Sequence, residues 1–360
     1  MGTEYLLNQP QDIFSAVIHA AVDRGVNYFD AFWAQPFFRD KLGVAMQGIR
    51  DRMYVSAHLG GIMEDGQHAK SRDLELSQKF FIDDLTRLGT EYIDVLFLHN
   101  CDEQADYDRI FQEGGLLDLA RRYQREGKAR FIGFSSHNVP IAIQAVQSGA
   151  IDVLMFPVNV ASYAVPGQPQ LLRACIDANV GLVAMKPFGG GSLLRDKSVI
   201  SLEYFQMGRA ETAGAPLQYQ KTATITPVQC LAYVLDQPGI STIVPGCKTV
   251  EEVEGCQAVW TASAEEKDYR PILPTFAQFA TGECVYCNHC LPCPEHIDVG
   301  QVMSLFNQAQ QEKTDELVKT YRELSTHASD CIACGDCEER CPFDVPVRER
   351  MEQAYALFGM

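Results

Sequence analysis

Two periodicities of apolar and polar positions alternate along the first two-thirds of the chain. In Gln11 to Arg24, Ser71 to Leu88 and Ile110 to Arg125, apolar residues recur every three or four positions, which predicts helices with one buried face. Between them lie short, nearly continuous apolar runs: Val26–Phe29, Met53–Ser56, Ile93–Leu98, Phe131–Phe134, Val153–Phe156, Leu182–Met185 and Ser241–Val244. Runs that are apolar on both faces and separated by helices predict a parallel sheet covered on both sides. Seven runs are legible, and closure into a (β/α)8 TIM barrel requires one more. Residues 1–262 are assigned to this barrel, 263–283 to a connector broken by Pro271 and Pro274, and 284–360 to a small helical domain. Within that domain, Gly300–Gln311, Glu312–Thr326 and Arg348–Leu357 read as helices.

The strand ends carry the polar residues: Asp30, His58, His99, Ser135-Ser136-His137, Asn159, Lys186 and Pro245-Gly246. In a (β/α) barrel the C-terminal face of the strands hosts the chemistry, so these are the candidates for a site. Gly189-Gly190-Gly191 follows a strand but lacks the spacing of a dinucleotide fingerprint, and reads as a barrel loop.

Cysteine usage adds the sharpest chemical signal. Eight of the thirteen cysteines fall in two runs: Cys284, Cys287, Cys290 and Cys293 before Pro294, and Cys331, Cys334, Cys337 and Cys341 before Pro342. The pattern resembles that of bacterial ferredoxins, which hold 4Fe–4S clusters. In two-cluster ferredoxins the last cysteine of each run ligates the other run's cluster. That rule implies one cluster on Cys284, Cys287, Cys290 and Cys341, and a second on Cys331, Cys334, Cys337 and Cys293. The first run departs by having two residues, not three, before its final cysteine. Zinc is the rival reading, since paired cysteines also build tetrahedral sites, but zinc does not require third and fourth cysteines at these intervals.

A formal charge of −17 argues against a nucleic-acid partner, because a phosphate backbone would be repelled. No apolar stretch reaches membrane-spanning length, and the start MGTEYLLNQPQD lacks a signal-peptide pattern. Cluster thiolates need a reducing compartment, so a cytoplasmic location is expected.

Gly25-Val-Asn-Tyr-Phe-Asp30, Tyr92-Ile-Asp-Val-Leu-Phe-Leu-His99, Phe131-Ile-Gly-Phe-Ser135, Val183-Ala-Met-Lys-Pro187 and Val244-Pro-Gly246 resemble the aldo/keto reductases, in the subgroup with a ferredoxin-like extension. The resemblance implies a TIM barrel, a nicotinamide cofactor and a carbonyl-type small-molecule substrate. It also implies a longer N-terminus with a complete first strand. Here that strand is truncated to Met1-Gly2-Thr3, which would leave its neighbours as open edges, so a start further upstream is expected.

The family's reaction uses a tyrosine acid, a lysine, an aspartate and a histidine. By resemblance the aspartate is Asp30 and the histidine His99, but Gln35 stands at the tyrosine position and His58 at the lysine position. A glutamine amide has no proton to give near neutral pH, whereas histidine does. Asp30, His58 and His99 are therefore the expected catalytic residues. Ser135, Ser136, Asn159, Met185, Lys186, Gly246 and Lys248 occupy the positions that the resemblance assigns to NAD(P)H. Glu251, Glu252 and Glu254 oppose a 2′-phosphate there. Three functions remain compatible with this reading. The first is an iron–sulfur oxidoreductase, supplied by a redox partner such as a ferredoxin or flavoprotein. The second is an electron-transfer or interaction protein with an inactive barrel. The third is a non-redox acid–base enzyme using His58 and His99.

Overall fold

The computed structural model describes residues 1–160, 167–194, 225–272, 284, 290–311, 313–341 and 345–360. The chain forms two compact units, one of residues 1–187 with 227–269, the other of residues 188–226 with 270–360.

In the first unit the apolar runs become strands β1 (Tyr28–Asp30), β2 (Tyr54–Leu59), β5 (Ile93–Leu98), β6 (Ala129–Ser135), β7 (Val153–Pro157), β8 (Gly181–Met185) and β9 (Ile240–Val244). They pair in parallel in that order as a seven-stranded sheet. The gap between β1 and β9 is bridged by Gly2, which pairs in parallel with both Asp30 and Gly246. Gly2 N–H donates to Pro245 O at 2.9 Å, and Asp30 N–H donates to Met1 O at 3.0 Å. The edges expected to lie open therefore meet at a single residue.

Helices α1 (Gln11–Asp23), α2 (Pro36–Met46), α3 (Leu74–Leu88), α4 (Gln104–Phe111), α5 (Leu116–Arg125), α6 (Val139–Gln147), α7 (Gln168–Asp177), α8 (Pro227–Leu235) and α9 (Val250–Gln257) cover the strands. The helix expected over Ile110 to Arg125 is in fact two. Gly114 takes a left-handed φ of 73°, and a Cβ on Gly115 would lie 2.6 Å from the carbonyls of Arg109 and Ile110. An antiparallel hairpin that the apolar pattern did not reveal, β3 (Gly61–Glu64) and β4 (Gln67–Lys70), follows β2. Its turn residues Asp65 and Gly66 both have positive φ, 48° and 80°, as a type I′ turn demands.

Inside the barrel, Val95, Phe97, Met155, Val183 and Val244 pack together. Gly133 pairs with Phe97 across β5 and β6, and a Cβ there would lie 2.3 Å from the Phe97 ring. The missing side chain is what lets the ring fit.

The second unit holds α10 (Val299–Gln311), α11 (Asp315–Arg322), α12 (Asp336–Glu339) and α13 (Val347–Phe358). Val302, Met303, Phe306, Tyr321, Met351 and Phe358 form its core, with Tyr321 stacked on Phe358 at 3.8 Å. No helix among the described residues is long and apolar enough to cross a membrane.

Candidate functional site

The strand ends bring Asp30, His58 and His99 into one buried chain of hydrogen bonds. Asp30 closes β1, and its Oδ1 accepts from Ser56 Oγ at 2.6 Å and lies 3.0 Å from His58 Nε2. His58 Nδ1 lies 3.1 Å from His99 Nδ1. Since Asp30 accepts only, His58 carries a proton on Nε2, and one proton is shared between the two Nδ1 atoms. Phe97 stacks on the His58 ring at 5.3 Å, fixing its plane. Arg72 donates to the carbonyls of His99 (2.9 Å) and Asn100 (2.8 Å), and pins the segment that carries His99.

A third histidine, His68 on β4, was not singled out from the sequence. Its ring lies 5.2 Å from His99, 4.7 Å from Phe32 and 5.4 Å from Trp33. Burial, followed by the charges of His58 and Arg39, lowers its pKa to about 3, so it is neutral. Gln35 caps the start of α2, buried, and its Oε1 finds no hydrogen-bond partner among the described residues. Trp33 donates from its indole to Glu4 O at 3.0 Å. Burial also raises the Glu4 carboxyl above its ordinary range; Asp30 adds to that and Lys186 opposes it. Cys101 is fully buried, which pushes its thiol up to about 12 and keeps it from acting as a thiolate.

The residues assigned to a nicotinamide by resemblance have their own partners. Ser135 Oγ accepts from Asn100 N–H at 2.8 Å, and Ser136 Oγ donates to Asp102 at 3.0 Å. Asn159 Nδ2 donates to Lys186 O at 3.0 Å, and Met185 packs on the barrel core. Lys186 Nζ lies 2.6 Å from His137 Nε2. The Tyr5 ring covers Gly246 so closely that a Cβ there would be 2.2 Å from it. At the start of α9, Thr249 Oγ1 accepts from Glu252 N–H at 3.2 Å, and the Glu252 carboxylate accepts from Lys248 N–H at 2.7 Å. The amides at this helix start already face a carboxylate and a hydroxyl. A 2′-phosphate arriving here would have to displace the Glu252 carboxylate.

In the second unit, one cavity is lined by Cys290, Cys293, Cys331, Cys334 and Cys337 together with Arg348. The Ala333 amide donates to Cys331 Sγ at 3.4 Å, and Arg340 donates to Pro292 O at 2.7 Å, tying the two runs together. Cys284 and Cys341 pack on the same core, while Cys287 lies outside the described residues. Among the described residues, no three Cys, His, Asp or Glu side chains converge as ligands of a single metal ion. Thiolates spread around a cavity suit a cluster, whose irons each take one of them.

The sequence profile of the aldo/keto reductase family matches residues 2–272. That of a 4Fe-4S dicluster domain matches residues 283–346. A D-threo-aldose 1-dehydrogenase from Pseudomonas sp. is 25% identical over 205 residues, covering 51% of this chain and 61% of that protein. The match thus spans less than two-thirds of that relative. Among solved structures, an aldo-keto reductase from Bacillus halodurans in its holo form aligns at TM-score 0.59 and 17% identity, covering 77% of this chain and 91% of that one. One from Klebsiella pneumoniae in complex with NADPH aligns at 0.56 and 19%, covering 77% and 89%. At such identities the likeness shows the fold alone.

Proposed function

The chain belongs to the aldo/keto reductase family, and we propose that it is an iron–sulfur oxidoreductase reducing a small carbonyl compound with a proton drawn from the Asp30–His58–His99 chain. The observation that carries this is His58, set between Asp30 Oδ1 at 3.0 Å and His99 Nδ1 at 3.1 Å. Gln35, at the tyrosine position, cannot act as the acid. When the pair is loaded, His58 holds both its protons and donates from Nδ1 to His99, so the proton of His99 sits on Nε2. Passing that proton to a carbonyl oxygen lets His99 take the shared proton onto Nδ1. The positive charge on His58 is discharged beside Asp30, which stabilised it.

Two 4Fe–4S clusters, when bound, would supply the two electrons one at a time, and without a hydride donor the carbon takes its proton from solvent, so the carbonyl gains two electrons and two protons in all. We assign Cys284, Cys287, Cys290 and Cys341 to one and Cys331, Cys334, Cys337 and Cys293 to the other. Cys293 lines one cavity with Cys331, Cys334 and Cys337, as the crossed pattern requires, and Cys290 of the other set lines it too. The carboxylate at the start of α9 disfavours NADPH as the reductant. The electron source in this reading is a ferredoxin or flavoprotein in a reducing cytoplasm. The aldose dehydrogenase relative makes sugar aldehydes the first substrates to try.

The test is anaerobic oxidation of dithionite-reduced protein by a panel of aldehydes. His58→Ala and His99→Ala should each lose ~100-fold or more, the usual contribution of a positioned acid, at unchanged iron content. Unchanged turnover in both variants, or no oxidation of the parent by any aldehyde, would sink the reading.

A further inference from the structure

Another line of polar groups stands at the barrel mouth and is not used by the proton chain: Asp102, His137 and Lys186. His137 N–H and Ser136 Oγ both donate to Asp102 Oδ1, and His137 Nδ1 lies 3.2 Å from Asp102 Oδ2. That bond puts the ring proton on Nδ1 and leaves the Nε2 lone pair facing Lys186 Nζ at 2.6 Å. Burial, followed by the charge of Lys186, lowers His137 to about 4, so the imidazole is neutral. The neutral imidazole of His137 stands between the Lys186 ammonium and Asp102, which is the order of nucleophile, base and orienting carboxylate.

The backbone gives an independent sign. Lys186 immediately follows β8 and takes a left-handed φ of 56°, a conformation that non-glycine residues seldom adopt. Asn159 holds its carbonyl in that position. Strain of this kind is retained where it aims a side chain. The residue is also only half-buried.

We propose that Lys186 captures a small aldehyde or ketone as an imine, with His137 moving the protons and Asp102 orienting His137. The Lys186 ammonium gives one proton to His137 Nε2, and the neutral amine attacks the carbonyl carbon. A C–N bond forms and the C=O π bond opens. The oxygen takes up the proton from His137 and a second from the nitrogen, the C–O bond breaks, and water leaves. Ammonium plus carbonyl becomes iminium plus water, with no oxidant or reductant consumed. The inference shares only its substrate class with the proposed reduction.

The full-length protein is incubated anaerobically with D-glyceraldehyde and sodium cyanoborohydride, which reduces the imine to a stable secondary amine, and the labelled lysines are mapped by peptide mass. Lys186 should label faster than Lys319, whose side chain is 76% exposed. His137→Gln should slow labelling of Lys186 by about 100-fold, as for loss of a positioned base, and leave Lys319 unchanged. If His137→Gln loses its fold by circular dichroism, Asp102→Asn replaces it and should slow the same label. Lys186 labelling no faster than Lys319, or undiminished in a folded variant, overturns the proposal. Because the label draws no electrons from the clusters, its failure leaves carbonyl reduction standing, and failed reduction leaves the label standing.

Discussion

At the scale of single residues, the barrel mouth combines histidines of opposite character. His58 and His99 share a proton beside Asp30, whereas His68 and His137 are held neutral by burial at about 3 and about 4, against an ordinary 6.5. A histidine whose folded pKa is lowered binds fewer protons than the unfolded chain as pH falls through the unfolded value. The stability it contributes is complete above about 6.5 and is lost progressively down to the folded values. These two histidines should therefore lower the melting temperature of the barrel, followed by tryptophan fluorescence, as pH drops from 7 towards 4, against the opposite contribution of Asp84, whose carboxyl burial raises to about 7. His68→Phe, which has no proton to gain, should flatten that dependence; an identical pH slope in the variant would contradict this account. His68 escaped notice in the sequence because an isolated histidine in a short polar segment carries no periodic signal.

Among the elements, β3 and β4 show a signal that was present but outweighed. Asp65-Gly66 is a hairpin turn dipeptide, yet the flanking residues Gly61–Glu64 and Gln67–Lys70 are too short and polar to register as apolar runs. The break between α4 and α5 was missed for a related reason, since apolar periodicity continues across Gly114 and Gly115 while the backbone cannot. The β5–β6 pairing yields a sharper test. Gly133→Ala would place a methyl group 2.3 Å from the Phe97 ring, and overpacking of that kind costs about 1–3 kcal/mol. Since Phe97 stacks on His58, the variant should lose activity at temperatures where it remains folded. Denaturant unfolding gives the first quantity and aldehyde turnover the second; wild-type values for both would mean that the interior yields more readily than this packing implies.

For the whole molecule, the two-cluster assignment makes a quantitative claim. Anaerobically prepared protein should hold about eight iron and eight sulfide per chain, the content of a two-cluster ferredoxin domain. Cys293→Ser should damage the cluster held mainly by Cys331, Cys334 and Cys337, and Cys341→Ser the one held by the first run. Electron paramagnetic resonance of the reduced variants distinguishes the two, and damage confined to each cysteine's own run would refute the crossed pattern.

Alternation of helical and strand periods, the order of the strand-end motifs and the spacing of the cysteines were enough to determine the barrel and the 4Fe–4S domain. Each is a short-range property, since a helix face, a buried strand and a cluster loop are specified within a few residues of chain. The catalytic candidates Asp30, His58 and His99 could be named from position, but which of their atoms meet could not. His58 and His99 are 41 residues apart in sequence, and Lys186 and His137 are 49 apart. Their contacts depend on the register of parallel strands and on closure through Gly2. Only the closed barrel decides that His58 spans Asp30 and His99, that a hairpin carries His68 into the same mouth, and that Lys186 meets the His137 imidazole.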